Sequence, residues 1–111
     1  MKEANLDEFP RNYLVVKVVI GGIEALGLLD SGAQPCVIKE SIVPMGTIIS
    51  NSNVTLKGVK GPGIKVLGSA QVPMEMGSFM FTIPCFVVED GAMHFPAQTS
   101  VILGTNCIVE N

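Results

Sequence analysis

The sequence has few of the residues that most specialised sites need. Its 111 residues include no tryptophan, one tyrosine, one histidine and three cysteines, and charged residues make up only 15%. The cysteines form no Cys-x-x-Cys pair, so no structural zinc site is expected. With a net charge of −3, the chain also lacks the clustered Lys and Arg that bind nucleic acids or anionic membranes. We therefore expect no metal, no cofactor, no nucleic-acid partner and no membrane partner.

Long apolar runs are also missing. No run approaches the roughly 20 residues that span a bilayer. The polar, acidic segment Met1–Glu8 has no apolar centre of the kind found in signal peptides. We therefore expect a cytoplasmic location, or the inside of an intracellular particle. In that setting Cys36, Cys85 and Cys107 are interpreted as reduced, buried and inert thiols.

The residues that are abundant favour β-strands. Hydrophobic residues make up 48% of the chain, and its length fits one domain over residues 1–111, with 1–11 as a loose N-terminal segment. Gly21-Gly22 and Gly77-Ser78 each separate two β-branched or aromatic segments, which predicts two tight hairpins. The sequence thus predicts an all-β class with short strands closing into a barrel-like sheet. Gly104-Thr105-Asn106 predicts the start of a short C-terminal helix capped by Thr105.

The strongest candidate for chemistry is the carboxylate of Asp30. It follows the apolar pair Leu28-Leu29 and precedes the small residues Ser31-Gly32-Ala33. A carboxylate next to buried strand residues is costly unless a partner stabilises it. The alternative is a structural Asx turn at the end of a hairpin, and the motif alone leaves both interpretations open.

Other segments are weaker candidates for a functional site. The run from Gly58 to Gly63 is glycine-rich and is either a mobile binding flap or an ordinary loop tip. Glu89 and Asp90 lie in a polar loop without a hydroxyl-Gly turn, so we do not expect either to be catalytic. His94 is interpreted as a surface residue.

Three segments together resemble a known family. Leu29-Asp30-Ser31-Gly32-Ala33-Gln34 is similar to the active-site loop of retropepsins, the aspartic proteases of retroviruses and retrotransposons, and to that of Ddi1-type retropepsin domains. Residues 58–66 resemble the flap that closes over substrate in that family, and residues 101–106 resemble its second signature, an apolar triplet and Gly before a terminal helix. The motifs occur in the family's order, and the resemblance covers roughly residues 13–109.

The resemblance implies a retropepsin fold and an aspartic endopeptidase that cleaves extended polypeptides, such as a retroelement polyprotein inside its particle. It implies Asp30 as the catalytic residue, paired with Asp30 of a second copy in a homodimer, because the chain contains one such motif. Ser31, Gly32 and Ala33 would support the active-site loop. The substrate-binding flap would comprise Gly58, Gly61, Pro62, Gly63 and Ile64. Pro62-Gly63 suits a type II turn, which predicts a positive φ at Gly63.

The sequence departs from the pattern at its end. Only seven residues follow Gly104, so the C-terminal strand of the dimer sheet is short or missing. Either the strand has been cut from the sequence, or another segment supplies the dimer contacts, with residues 13–20 as the candidate. We expect a weak dimer. Two other functions stay open. One is a cellular, Ddi1-like protease domain, and the other is a catalytically silent module that binds peptides or assembles particles.

Overall fold

The computed structural model describes residues 3–5, 13–30, 35–57 and 63–104. Within these ranges the chain forms strands and two single-turn 3-10 helices, Glu40–Ile42 and Pro96–Gln98. The strands are β1 (Glu3–Asn5), β2 (Tyr13–Ile20), β3 (Ile23–Asp30), β4 (Val37–Lys39), β5 (Thr55–Lys57), β6 (Ile64–Lys65), β7 (Gly68–Met76), β8 (Phe79–Val88) and β9 (Val101–Leu103). The predicted all-β class is confirmed. The predicted C-terminal helix falls on residues 105–111, outside the described residues.

Both predicted hairpins are present. Strands β2 and β3 pair from Ile20↔Ile23 outward, and the two turn glycines, Gly21 and Gly22, have φ values of 60° and 80°. Two positive φ angles define the type I′ turn, whose twist matches that of the flanking strands. Strands β7 and β8 pair from Met76↔Phe79 outward, with Gly77 at φ 61° in the first turn position.

Six strands close into a barrel in the order β2-β3-β9-β4-β8-β7. Strand β9 lies between β3 and β4, parallel to β3 and antiparallel to β4. Strand β4 runs parallel to β8, and the pair Val19↔Glu75 joins β2 to β7 and closes the barrel. The predicted barrel-like sheet is therefore confirmed, and it joins segments from both ends of the chain.

A second, three-stranded sheet has the order β1-β5-β6. Strands β5 and β6 are antiparallel, and β1 runs parallel to β5 on its other side. The prediction of a loose segment over residues 1–11 is therefore wrong for Glu3–Asn5, which form a paired strand. Three residues are too few to show a strand period, so no local pattern indicated this strand.

Two apolar clusters hold these sheets together. Successive strand residues point to opposite faces, so Val101 and Leu103 join the cluster inside the barrel while Ile102 joins a second cluster. The second cluster contains Leu28 of β3 and Leu56 of β5. Leu56 is fully buried, which contributes about 1.5–3 kcal/mol and fixes the small sheet against the barrel strands.

The predicted burial of the thiols is confirmed for two of the three cysteines. Cys36 and Cys85 are buried in the cluster inside the barrel. Cys107 lies outside the described residues.

Candidate active site

Asp30 is the last residue of β3, and only 2% of its surface is exposed. It lies across from Tyr13 in β2, while its neighbour Leu29 pairs with Leu103 in β9. A carboxylate in such a position is stable only when its oxygens have partners. Asp30 does have an interaction partner, and in the described part of the chain every buried side-chain oxygen or nitrogen is hydrogen-bonded. The strand thus places a compensated carboxylate inside the fold.

The other acidic side chains that the structure describes are exposed. They are Glu24, Glu40, Glu75, Glu89 and Asp90. Among the acidic side chains whose burial the structure describes, Asp30 is therefore the buried one, and none of these five supplies a second buried acid for a catalytic pair. The expectation that Glu89 and Asp90 stay outside the chemistry agrees with their exposure.

Asp90 has a different task. Its Oδ1 accepts a hydrogen bond of 3.0 Å from the backbone N–H of Ser41. The hydrogen bond from the Ser41 side chain is the main cause that lowers the pKa of Asp90. The Ser41 backbone N–H and the charge of Lys39 act in the same direction, and desolvation opposes them. Asp90 therefore ties the end of β8 to the 3-10 turn after β4.

The sheet holds the chain on both sides of residues 31–34. Ser31, Gly32 and Ala33 lie outside the described residues, and the chain resumes at the buried Pro35. The two flanking strands, β3 and β4, both pair with β9. Strand neighbours lie about 4.8 Å apart, so β3 and β4, with β9 between them, lie roughly 10 Å apart. Gly104, directly after β9, is buried at the same end of the sheet.

The predicted flap corresponds to the connection between β5 and β6. Thr55 pairs with Lys65 and Leu56 with Ile64, so the two strands form an antiparallel pair around residues 58–63. Gly58, Gly61 and Pro62 lie outside the described residues. Gly63 is exposed, and Ile64 is partly buried against the second cluster.

Gly63 is needed for a different reason from the one predicted. In the described ranges, the glycines with positive φ are Gly21, Gly22, Gly46 and Gly77. The predicted positive φ of a type II turn at Gly63 is therefore wrong. A Cβ at this position would instead collide with Cγ2 of Thr55 on the facing strand. The requirement is for space beside the Thr55 side chain.

The flap strands and the strand of Asp30 meet in one apolar cluster. Leu56 and Ile64 pack with Leu28, two residues before Asp30 and on the same face of β3 by strand alternation. Sequence reasoning missed Phe95, a buried member of this cluster from the loop after β8, whose ring lies 5.1 Å from Nζ of Lys39. An aromatic residue in an otherwise polar loop was the available signal.

Metal-ligating clusters and membrane-spanning helices are absent from the described ranges. No group of three or more His, Cys, Asp or Glu side chains able to hold a metal occurs within residues 3–5, 13–30, 35–57 and 63–104. The same ranges contain no helix that is long and apolar enough to cross a membrane.

The family model for retroviral aspartyl proteases matches residues 11–110. The chain belongs to that family. Its fold is similar to that of EIAV protease complexed with the inhibitor HBY-793, with 17% identity, a TM-score of 0.66, and coverage of 90% of this chain and 88% of the other. It is also similar to the retroviral protease-like domain of Ddi1 from Leishmania major, with 18% identity, a TM-score of 0.62, and coverage of 89% and 72%. No curated protein sequence matches significantly.

The family resemblance and the fold inferred from the sequence are thereby confirmed. Both identities are low, so the two solved structures establish a shared architecture and not a shared substrate or partner. Within this architecture, the end of β3 holds the buried carboxylate of Asp30.

Proposed function

We propose that this chain is an aspartic endopeptidase in which Asp30 is the catalytic carboxylate. The observation that carries the proposal is the burial of Asp30 at the end of β3, in a chain that belongs to the retroviral aspartyl protease family. A fold that needed only a turn at this point would be served by an exposed aspartate or asparagine.

Peptide hydrolysis by carboxylates needs two of them. Two carboxyl groups about 3 Å apart cannot both ionise, so the paired aspartates of aspartic proteases share one proton. The ionised member removes a proton from a water molecule, which attacks the scissile carbonyl carbon. The protonated member donates its proton to the carbonyl oxygen, which gives a diol. The C–N bond of the diol then breaks as the nitrogen takes a proton from one carboxyl group and a diol hydroxyl gives its proton to the other carboxylate.

We propose that the second carboxylate is Asp30 of another copy. The five remaining described acids are exposed, whereas a two-fold axis beside Asp30 would bring two identical buried groups together. Leu14, paired with Leu29 next to Asp30, is 66% exposed. An apolar side chain in that place supports contact with a second subunit.

The remaining site residues keep the roles that the family implies. Ser31, Gly32 and Ala33 support the loop that carries Asp30. Gly58, Gly61, Pro62, Gly63 and Ile64 belong to a flap that closes over an extended polypeptide and pairs with it as an added strand. The proposed substrate is a retroelement polyprotein, and the proposed setting is the cytoplasm or a particle within it.

Two alternatives differ in substrate or in chemistry. One is a cellular protease domain of the Ddi1 type, a domain whose fold the chain also shares. A catalytically silent peptide-binding or assembly module would keep the barrel and the flap without cleavage.

The test compares Asp30→Asn with the matched control Asp90→Asn, which alters an exposed acid. Each purified variant is incubated with an unstructured protein, with and without pepstatin. Asp30→Asn should lose activity by roughly 100-fold or more, because it removes the base and the shared proton. Asp90→Asn should cleave at the unsubstituted rate.

Cleavage by the Asp30→Asn variant at the unsubstituted rate would show that Asp30 is structural. Absence of pepstatin-sensitive cleavage by every variant, with peptide binding intact, would favour the silent module. Cleavage of a folded cellular protein in preference to an unstructured polyprotein fragment would favour the Ddi1-type function.

A further inference from the structure

Strand β1 occupies an edge of the flap sheet. Its backbone pairs in parallel with β5 through Glu3↔Thr55, Ala4↔Leu56 and Asn5↔Lys57. Strand β6 pairs with the opposite edge of β5. Strand β5 is therefore enclosed on both sides by segments of its own chain, one from the flap hairpin and one from the N-terminus.

An edge that is already paired cannot accept another strand. A peptide that binds by strand addition uses the free N–H and C=O groups of an exposed edge. At Thr55 and Leu56 these groups face β1 on one side and β6 on the other. Strand β6 is covalently continuous with β5 through the flap, whereas β1 reaches the sheet from the N-terminal end. A peptide that adds to β5 must displace β1.

We infer that the β1-facing edge of β5 is a peptide-strand binding site occupied by the chain's own N-terminal strand. Glu3–Asn5 thereby compete in cis with an extended peptide. The inference rests on the proposed function for the class of ligand, an extended polypeptide. Strand β1 occupies the edge of β5 through backbone pairing. It therefore controls how often this edge is free to bind a peptide, and the side-chain preferences for the peptide are determined elsewhere in the site.

The construction of β1 suits reversible occupation. Strand β1 is short, with only three residues. Its parallel pairing with β5 is also slightly weaker per residue than antiparallel pairing. Attachment to the same chain compensates, because a tethered strand competes at an effective concentration that reaches the millimolar range. If β1 is docked about nine-tenths of the time, its removal strengthens peptide binding about tenfold.

The experiment measures binding without turnover. Both chains that are compared carry Asp30→Asn. One of them also carries Ala4→Pro and Asn5→Pro, which disrupt the pairing of β1 with β5. Adjacent strand residues direct their N–H groups to opposite sides, so one of the two prolines eliminates a ladder bond. The probe is a fluorescent peptide of sequence Lys-Glu-Ala-Asn-Leu, and its Pro-Pro counterpart is the control ligand. Anisotropy gives the Kd for each pair.

We expect the probe to bind the proline-substituted chain about tenfold more tightly than the chain with Asp30→Asn alone, and the Pro-Pro peptide to bind neither. Equal Kd values for the two chains, or no binding to either, would overturn the inference. Binding is measured here without cleavage, because Asp30→Asn is inactive under the proposed function. A negative binding result therefore concerns β1 alone. A negative cleavage result with the unsubstituted protein would contradict the proposed function and would leave the binding result unchanged.

Hydrogen exchange on the unsubstituted chain provides a second measurement if the proline variant does not fold. The amides of Glu3–Asn5 should exchange through local opening, well before those in the middle of β2. Protection of β1 equal to that of the barrel would show that β1 does not leave the sheet, and would overturn the inference.

Discussion

At the scale of the residue, Asp30 and Asp90 show how one side-chain type serves two purposes. Asp30 is enclosed at a strand end, where a carboxylate costs stability and is retained for chemistry under the proposed function. Asp90 is exposed and accepts a hydrogen bond from Ser41 N–H. The difference lies in the surroundings, since the two groups are chemically identical.

The lowered pKa of Asp90 predicts a pH-dependent contribution to stability. A pKa that is lower in the folded state gives stability above the unfolded value, about 3.9 for Asp, which is lost as the pH falls through the folded value. Asp90→Asn should therefore lower the urea midpoint slightly near neutral pH. The difference should disappear in strong acid, below both pKa values.

The matched control for this measurement is Glu89→Gln, an exposed acid next to Asp90. It should leave the midpoint unchanged at both pH values, because no hydrogen bond from Ser41 is removed. If the urea midpoint of Asp90→Asn stayed lower than that of the unsubstituted protein in strong acid, the loss of stability would have a cause other than the charge of Asp90.

At the scale of the element, the antiparallel pair β5–β6 depends on the absence of a side chain at Gly63. Gly63→Ala places a methyl group against Cγ2 of Thr55. Thr is stiff at χ1, so the clash is relieved by moving the backbones apart, at a cost of roughly 1–3 kcal/mol. We expect a lower thermal midpoint and weaker peptide cleavage.

The control keeps the hydroxyl group of residue 55 and removes its methyl group. Thr55→Ser alone should have a small effect, and the double variant Gly63→Ala/Thr55→Ser should recover most of the lost stability. If the double variant is as impaired as Gly63→Ala, contact with Thr55 is not the cause and the predicted mechanism is wrong.

Local features were predictable from the sequence, and long-range pairings were not. The turns at Gly21-Gly22 and Gly77-Ser78 were predictable because glycine adopts the positive φ that tight hairpin turns require. The pairing of Glu3–Asn5 with β5 depends on residues far apart in the chain, and no local pattern specifies it. Gly63 shows the same limit, because its steric partner Thr55 lies on another strand.

In the candidate site, too, the residue with a local sequence signal was predicted and the residue that depends on long-range packing was not. Asp30 stood out because a carboxylate, two apolar residues and a small-residue turn are adjacent in sequence. Phe95 was missed because its burial arises from packing against Leu28 and Leu56, on distant strands.

At the scale of the whole molecule, the proposed function requires two copies. Cleavage per chain should rise with protein concentration in the range where sedimentation shows monomers associating into dimers, because each site takes one Asp30 from each subunit. Constant activity per chain in samples that sediment as monomers would exclude the shared site.

Mixing provides an independent check of the same prediction. An equal mixture with Asp30→Asn, after subunit exchange, should leave about a quarter of the dimers with two aspartates under random pairing. The matched mixture with Asp90→Asn should retain full activity. If the mixture with Asp30→Asn retained half of the activity instead of about a quarter, each chain would be acting alone, and the shared site would be wrong.

The position of β9 between β3 and β4 has a consequence for the time course of folding. The hairpins β2–β3 and β7–β8 join neighbouring segments and can form within microseconds. The ladder between Gly27 and Val101 joins opposite ends of the chain and must wait for the closure of a long loop. During synthesis, Asp30 emerges from the ribosome long before β9 does. Its carboxylate therefore remains in water until residues 101–103 have been made, and it enters its native environment only once β9 has paired with β3.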